Sequence, residues 1–209
     1  MTTYLAMQDR IAREARFAAS AAASGLVSEI KDAIQTALKY YEAELFWFNE
    51  QQATTSTVAG QEYYAFPPDY VQMHAIARKR TDTEWDPLRP LSFDEMEDLN
   101  NSGHQRVPRF YCTYNEQLRL GNIPDGAYQL RLSYARQIPL VAADSDTNAW
   151  MTDAEPLIRA RAKSILFADV VHDLAKAQTF DTVADLFFIK LQNRTRQYIG
   201  TAQIAQQLF

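Results

Sequence analysis

The sequence predicts an α+β fold: helical segments at the two ends of the chain form one discontinuous bundle, and a small antiparallel β lobe is inserted between them. Apolar residues recur at the helical period in residues 1–52 and 150–209, whereas residues 53–149 contain short stretches of alternating polarity. Proline and glycine turns separate these stretches, and one short helical pattern interrupts them. We therefore predict a helical body from the two outer segments and a β lobe with one short helix from the middle segment.

The composition indicates a packed protein with an acidic balance. Of the 209 residues, 47% are hydrophobic and 12% are aromatic, which suits a firm core and large aromatic contacts. The chain carries 26 acidic and 21 basic residues, so its net charge is −5. This balance disfavours the wrapping of duplex DNA, because such binding depends on Lys and Arg that neutralise phosphates. The single cysteine, Cys112, excludes an internal disulfide and a metal site made of several cysteines.

The sequence predicts neither a secretory signal nor a membrane span. The N-terminus has no apolar core before a cleavage site, so we expect no secretory signal. No uncharged apolar run reaches about 18 residues, so we expect no membrane span. A reducing cytoplasm, or a particle assembled there, is the expected location.

Two helices are predicted in the first segment. Thr2 or Thr3 can cap the first helix, and the alanine-rich residues 18–25 indicate a frayed end or a linker that stops at Gly25. Residues 26–45 keep a 3.6-residue apolar repeat and predict the second, stronger helix.

Aromatic and basic clusters supply the candidate subunit contacts. The second helix ends in Phe46, Trp47 and Phe48, which cannot share one helix face, so some of them are expected to cover a junction or a partner. The cluster around Arg78 and Arg80 lies at the end of a predicted strand, where it can meet phosphate or the acids of a neighbouring subunit.

The middle segment contains several strand candidates. The first is an edge strand at residues 53–58, and residues 63–66 are expected to pair back on it as a hairpin arm. Residues 71–80 alternate in polarity, with Ile76 on the polar side, and residues 85–91 contain two prolines that limit them to an edge.

A capping box and a meander complete the predicted lobe. Ser92 at the cap and Glu95 three residues later predict a short helix. Residues 109–114, 117–121 and 128–136 then form consecutive strands of a small antiparallel meander.

The last segment predicts two helices. Thr152 and Glu155 form a second capping box that opens a helix to about Lys176, and its apolar residues 165–171 indicate a central position. A break at residues 178–181 precedes the final helix. The residues expected on its buried side are Phe187, Phe188, Leu191 and Tyr198.

One loop partly matches a calcium-binding pattern. Asp144, Asp146 and Asn148 occupy positions 1, 3 and 5 of such a loop, and Glu155 occupies position 12. However, Ala149 replaces the glycine that the sharp turn at position 6 requires. The preferred interpretation is a loop with Asx turns before a helix, and a Ca²⁺ site stays open as an alternative.

Catalytic and cofactor motifs are missing from the sequence. The three histidines are scattered, and the sequence contains no HExxH, GxSxG, Walker or GxGxxG pattern. Cys112 lacks the context of a known catalytic cysteine. We therefore predict no catalytic residue, no cofactor and no enzymatic activity.

Three blocks of the sequence together resemble the head-to-tail adaptor proteins of short-tailed bacteriophages. The blocks are residues 46–70 (FWFNE…TVAGQEYYAFPPDY), 118–134 (LRLGNIPDGAYQLRLSY) and 144–163 (DSDTNAWMTDAEPLIRARAK). Their order and spacing match, and the resemblance covers about residues 26–175. The alanine-rich stretch near the N-terminus and the last 30 or so residues depart from the family pattern.

The resemblance implies a structural virion protein of the neck that is assembled in the host cytoplasm. Such adaptors form a ring under the portal, usually a dodecamer, and extend the DNA channel to the tail nozzle or tail tube. Genomic DNA passes through the lumen without specific binding. Family members commonly dock on the portal through the C-terminal helix and tail, which implies a docking tail at residues 194–209. The candidate portal-binding residues are Arg194, Tyr198, Ile199, Ile204, Leu208 and Phe209.

Two functions of other classes stay open beside this one. A DNA-packaging accessory would bind nucleic acid through the basic residues 78–80, although the acidic balance of the chain disfavours it. A calcium-binding protein would use the loop of residues 144–155.

Overall fold

The computed structural model describes the backbone of residues 2–207 and the side chains of residues 2–198. Its helices and strands confirm the predicted α+β class. In chain order the elements are α1 (Tyr4–Glu14), α2 (Ala21–Ser24), α3 (Val27–Tyr41), β1 (Glu50–Ser56), β2 (Tyr63–Ala65), β3 (Tyr70–Lys79), β4 (Trp85–Pro87), β5 (Arg89–Pro90), α4 (Phe93–Asn100), β6 (Gln105–Arg106), β7 (Phe110–Tyr114), β8 (Gln117–Gly121), β9 (Ile123–Pro124), β10 (Gln129–Arg136), α5 (Ala149–Asp153), α6 (Glu155–Asp169) and α7 (Leu174–Gln207).

The chain divides into two compact units. The helical unit combines Met1–Asn49 with Gln137–Phe209, and the β unit is Glu50–Arg136. These limits differ from the expected 53–149, because β1 already begins at residue 50 and the loop after β10 packs with the helices. Ile138 and Val141 of that loop are buried in the helical core. None of the helices in the described residues is both long and apolar enough to cross a membrane.

Local capping decides where the first helices begin and end. Thr3 caps α1, since its hydroxyl accepts a hydrogen bond from the Ala6 N–H at 3.2 Å. The expected linker contains the short helix α2, which Ser20 caps and Gly25 ends with a left-handed φ of 72°. The strong helix α3 then buries the apolar face that its period predicts: Ile30, Ala33, Ile34, Ala37, Leu38 and Tyr41.

Helix α6 occupies the centre of the helical unit, as its apolar sequence predicts. It packs against α1, α3, α5 and α7, and its buried residues run from Leu157 to Phe167. The predicted break at residues 178–181 is wrong, because the chain turns earlier, between α6 and α7. His172 adopts a left-handed φ of 58° there, and the Asp173 carboxylate accepts from the Lys176 N–H at 3.1 Å. A local cap therefore starts α7 before the expected position.

The second predicted capping box is also wrong. Asn148 caps α5 by accepting from the Met151 N–H at 3.1 Å, and the Thr152 hydroxyl donates to the Asn148 carbonyl at 2.8 Å. Thr152 thus lies inside α5, and α6 begins after Ala154 without a side-chain cap. The Glu155 carboxylate accepts from Arg10 at 2.9 Å instead of closing a box.

The strands of the β unit form two four-stranded sheets and one two-stranded ladder. The first sheet has the order β1-β10-β3-β4, the second has the order β2-β8-β7-β5, and β6 pairs with β9. β1 is an edge strand, as expected, but β2 pairs with β8 and not with β1, so the predicted hairpin is wrong. The predicted meander is wrong as well: β7 and β8 pair, whereas β10 lies between β1 and β3 of the other sheet.

A β-bulge in β3 explains why the simple alternation places Ile76 on the wrong face. Tyr134 pairs with Met73 and Ser133 pairs with Ala75, so His74 is the extra residue. The extra residue lets Met73 and Ile76 both pack in the core of the β unit, and Ile76 is fully buried.

Helix α4 confirms the capping box at Ser92. The Glu95 carboxylate accepts from the Ser92 N–H at 2.9 Å, and the Ser92 hydroxyl accepts from the Glu95 N–H at 3.4 Å. The helix packs tightly on β8, because a Cβ at Gly121 would lie 2.7 Å from the Met96 sulfur and 3.0 Å from Leu99 Cδ2, both of α4. The same Cβ would lie 2.8 Å from the Phe110 Cβ of the paired strand β7. Only glycine fits this contact.

Tyr134 in β10 makes the stability of the β unit sensitive to alkaline pH. Its buried hydroxyl donates to Asp69 Oδ1 at 2.8 Å, and burial together with this bond raises the pKa of Tyr134 to about 12. The unfolded chain loses this proton near pH 10, so the stabilisation is complete below about pH 10 and is lost as pH rises through about 12. Between about pH 10 and about pH 12 the free energy of unfolding of the wild type should fall with pH. We expect Tyr134→Phe to make this slope less steep by about 1.4 kcal/mol per pH unit.

Urea unfolding at several values between about pH 9 and about pH 11.5 measures this slope. The exposed Tyr114 supplies a matched control, and Tyr114→Phe should leave the slope unchanged. Equal slopes for wild type and Tyr134→Phe would contradict the prediction.

Candidate interaction surfaces

All three adjacent aromatics lie in or pack against the core of the helical unit. The Phe46 ring lies 5.2 Å from the Phe48 ring and 5.7 Å from the Trp150 ring, between ring centroids. Phe46 is fully buried, and the buried Asn49 side chain accepts from its N–H at 2.7 Å. Phe46 therefore has no surface to offer a second subunit, which corrects its place among the interface candidates. Phe48 is partly buried and packs against the same core.

Trp47 packs against the same core and also contacts two residues of α7. The Tyr198 ring stacks on the Trp47 ring at 5.7 Å and 21°, and the Arg194 guanidinium lies 4.3 Å from the Trp47 ring centroid. We call these three residues the clasp. Such aromatic and cation–π contacts contribute about 0.5–1.5 kcal/mol each. The clasp therefore holds α7 to the helical unit as far as residue 198.

The clasp contains two of the predicted portal-binding residues, Arg194 and Tyr198. Tyr198 is 57% exposed although it stacks on Trp47, so one side of its ring faces solvent. The other four predicted residues lie outside the residues whose side chains the structure describes: Ile199, Ile204, Leu208 and Phe209.

The basic residues 78–80 each have an acidic neighbour in the β unit. Arg78 Nη2 lies 2.6 Å from Asp86 Oδ2, and its guanidinium lies 5.5 Å from the Tyr128 ring centroid. Arg80 Nε lies 3.8 Å from Glu84 Oε2, and Lys79 Nζ lies 3.1 Å from Asp82 Oδ1. This local pairing lowers the charge that the cluster can offer to phosphates.

A buried charged cluster that no sequence pattern predicted surrounds Arg119 in the β unit. Its guanidinium bonds Glu62 through Nε and Glu97 through Nη1, at 2.5 Å each, and the Asn100 amide donates to the same Glu62 oxygen at 2.6 Å. Burial alone would lower the pKa of Arg119, but the hydrogen bonds to Glu97 and Glu62 outweigh it and raise the pKa. The cluster joins β8 to α4 and to the residue before β2, so its role is structural.

Cys112 in β7 is buried, and burial is the main cause that raises the pKa of its thiol. A raised thiol pKa lowers the fraction of nucleophilic thiolate.

The side chains of the calcium-like loop turn to separate partners. Asp144 pairs with Lys31 at 3.1 Å, and hydrogen bonds from Lys31 and then Gln8 lower its pKa. Asp146 accepts from two backbone N–H groups of the loop before it, Asn148 caps α5, and Glu155 pairs with arginines. Within the described residues no group of three or more His, Cys, Asp or Glu is placed to hold a metal ion. The geometry is that of the Asx-turn interpretation.

Comparison with known protein families finds a match. The family model described as SU10 adaptor protein matches residues 2–207. No curated protein matches the chain.

Proposed function

The chain belongs to the SU10 adaptor protein family, and from this premise we propose that it is a head-to-tail adaptor that forms a ring under the portal and extends the DNA channel to the tail nozzle. The match over residues 2–207 is the observation that carries the proposal. It agrees with the resemblance to phage adaptors in the sequence. A structural adaptor family implies a non-enzymatic role in the virion neck.

Helix α7 offers surface for the subunit contacts of the ring. Leu186 and Ile189 are three residues apart, so they lie on one face of α7, and they are 56% and 52% exposed. Exposed apolar groups of this kind favour protein–protein contact. A ring requires head-to-tail interfaces that close on themselves. Trp47, Phe48, Arg78 and Arg80 remain candidate contacts of this interface.

The acidic balance of the chain supports a passive role towards DNA. A net charge of −5 avoids the phosphate contacts that would hold DNA during ejection. Genomic DNA therefore passes the proposed ring without specific binding.

The C-terminal segment of residues 194–209 is the proposed portal-docking site. Its first part is held by the clasp, and its last 11 residues carry four large apolar side chains and no charge: Ile199, Ile204, Leu208 and Phe209. An uncharged apolar segment gains most when a partner covers it.

We expect the free chain to be a monomer and the ring to assemble on the portal. Light scattering of the purified protein at several concentrations should give a mass near 23.9 kDa. Electron microscopy of the protein mixed with its portal should show a ring coaxial with the portal. A stable ring without portal would contradict stepwise assembly, and the absence of any ring or bound density on the portal would contradict the proposed function.

A further inference from the structure

The two four-stranded sheets of the β unit have edges of very different kinds. β2 and β4 have three residues each and β5 has two, and prolines lie in or just after all three strands. The fourth edge strand, β1, has seven residues and contains neither proline nor lysine. Short strands, prolines and lysines are the usual means that block an edge against further pairing. Only β1 among these edges lacks such protection.

β1 is also regular along its whole length. Its register with β10 runs from Glu50 opposite Ala135 to Ser56 opposite Gln129 without a bulge. A regular, long edge keeps its outer hydrogen-bonding groups in line, which is the geometry that an added strand needs.

The direction of each amide follows from the next pair in the ladder. The Thr57 N–H donates to the Tyr128 carbonyl at 2.9 Å, so it points towards β10. Amides alternate along a strand, and therefore the N–H groups of Gln52, Thr54 and Ser56 point outwards. Among the residues whose side chains the structure describes, 2–198, these three N–H groups have no hydrogen-bond acceptor.

The side chains of β1 define what kind of strand fits beside it. Gln52, Thr54 and Ser56 are exposed, whereas Ala53 and Thr55 are partly buried and Ala53 packs against the core of the β unit. Residues 51–56 carry no charge. A charged strand would find no opposite charge here, so the matching strand is uncharged and alternates small apolar with polar residues.

We propose that β1 is the docking site for an extended, uncharged segment of a different protein of the phage neck, which adds to the first sheet as a fifth strand. The inference rests on the proposed adaptor function, because it needs the chain to have partners in the neck. A second copy of β1 fits less well, since self-pairing of one edge is two-fold and closes a dimer, whereas a ring needs head-to-tail contacts.

Amide hydrogen exchange tests the proposal directly. In the free protein the N–H groups of Gln52, Thr54 and Ser56 should exchange fast, while those of residues 51, 53 and 55 are protected by β10. In necks isolated from virions the three outward amides should slow by at least about 100-fold, as expected for amides that enter a sheet ladder. Unchanged outward amides in necks that contain the chain would overturn the proposal.

Two substitutions of Thr54 distinguish the contribution of its backbone N–H to partner binding from the contribution of its side chain. Thr54→Pro removes an outward N–H and leaves the ladder with β10 intact, since proline is tolerated on edge strands whose N–H faces solvent. Thr54→Val keeps the N–H and alters only the hydroxyl. We expect Thr54→Pro to lower the yield of complete necks at least tenfold and Thr54→Val to leave it unchanged. Equal yields from the two variants would overturn the proposal, and the exchange measurement on the wild type decides it if Thr54→Pro does not fold.

The same measurements distinguish failure of the inference from failure of the adaptor function. Absence of the chain from purified virions would contradict the adaptor function, whereas its presence in necks with unprotected outward amides contradicts only the strand addition. Protection that rises with the concentration of the free protein alone would identify a second copy as the occupant and overturn the proposal.

Discussion

Replacing Arg119 with methionine is expected to lower the free energy of unfolding of the β unit by about 3 kcal/mol. The Arg119 side chain is only 4% exposed, and its removal strands the Glu62 carboxylate, which is 20% exposed. Removing one partner of a buried ion pair lowers stability by more than the intact pair contributes, because the remaining charge stays buried and is not hydrated. Glu97 is half exposed and can be hydrated, which keeps the cost at the lower end of the usual range.

A second substitution distinguishes the stability lost through the unpaired Glu62 charge from the stability lost through the missing Arg119 packing. Glu62→Gln in the Arg119→Met background removes the uncompensated charge, so it should restore roughly half of the lost stability. The control is Arg80→Met, because both partners of the Arg80–Glu84 pair are well exposed and a surface pair contributes about 0–1 kcal/mol. Urea unfolding of the four proteins gives the comparison. Equal losses for Arg119→Met and Arg80→Met would contradict the structural role of the buried cluster.

Deleting residues 199–209 is expected to weaken portal binding by a factor on the order of 100, or about 2.7 kcal/mol, while the fold stays intact. The cut keeps Arg194 and Tyr198 on Trp47, so α7 remains held by the clasp. It also keeps Thr195, which is buried and donates to the Leu191 carbonyl at 2.9 Å. The deletion therefore removes the uncharged apolar end and leaves the described packing untouched.

Calorimetric titration of the portal measures the loss, and thermal unfolding verifies the fold. A second variant keeps all 209 residues and replaces only Leu208 and Phe209 by serine, which removes two apolar anchors. We expect this variant to lose part of the affinity for the portal. Wild-type affinity in the deletion variant would exclude the C-terminal segment as the docking site.

The sequence predicts those features whose cause is local. Thr3 and the Ser92–Glu95 box act within one turn of a helix, so four residues suffice to recognise them. The apolar period of α3 likewise needs only its own residues. The box at Thr152 failed because Asn148, four residues earlier, is the stronger cap and places Thr152 inside a helix.

Features that depend on distant pairing escaped the sequence analysis. Glu62 is 57 residues from Arg119 and Glu97 is 22 residues from it, so no local pattern connects the cluster. β2 has three residues and carries no signal that selects β8 over β1. The bulge at His74 shifts the faces of β3, and an alternation of period two cannot show it. The family match, in contrast, depends on the whole chain and confirms the resemblance found in the sequence.

The ladder between β1 and β10 also brings the two ends of the β unit close together. Its first residue, Glu50, is paired with Ala135, the last but one, so the chain leaves the helical scaffold and returns to it at neighbouring points. The two ends of the inserted segment are separated only by the spacing of two paired strands, about 5 Å. A different segment whose two ends lie equally close together could therefore replace the β unit without any change in the helices.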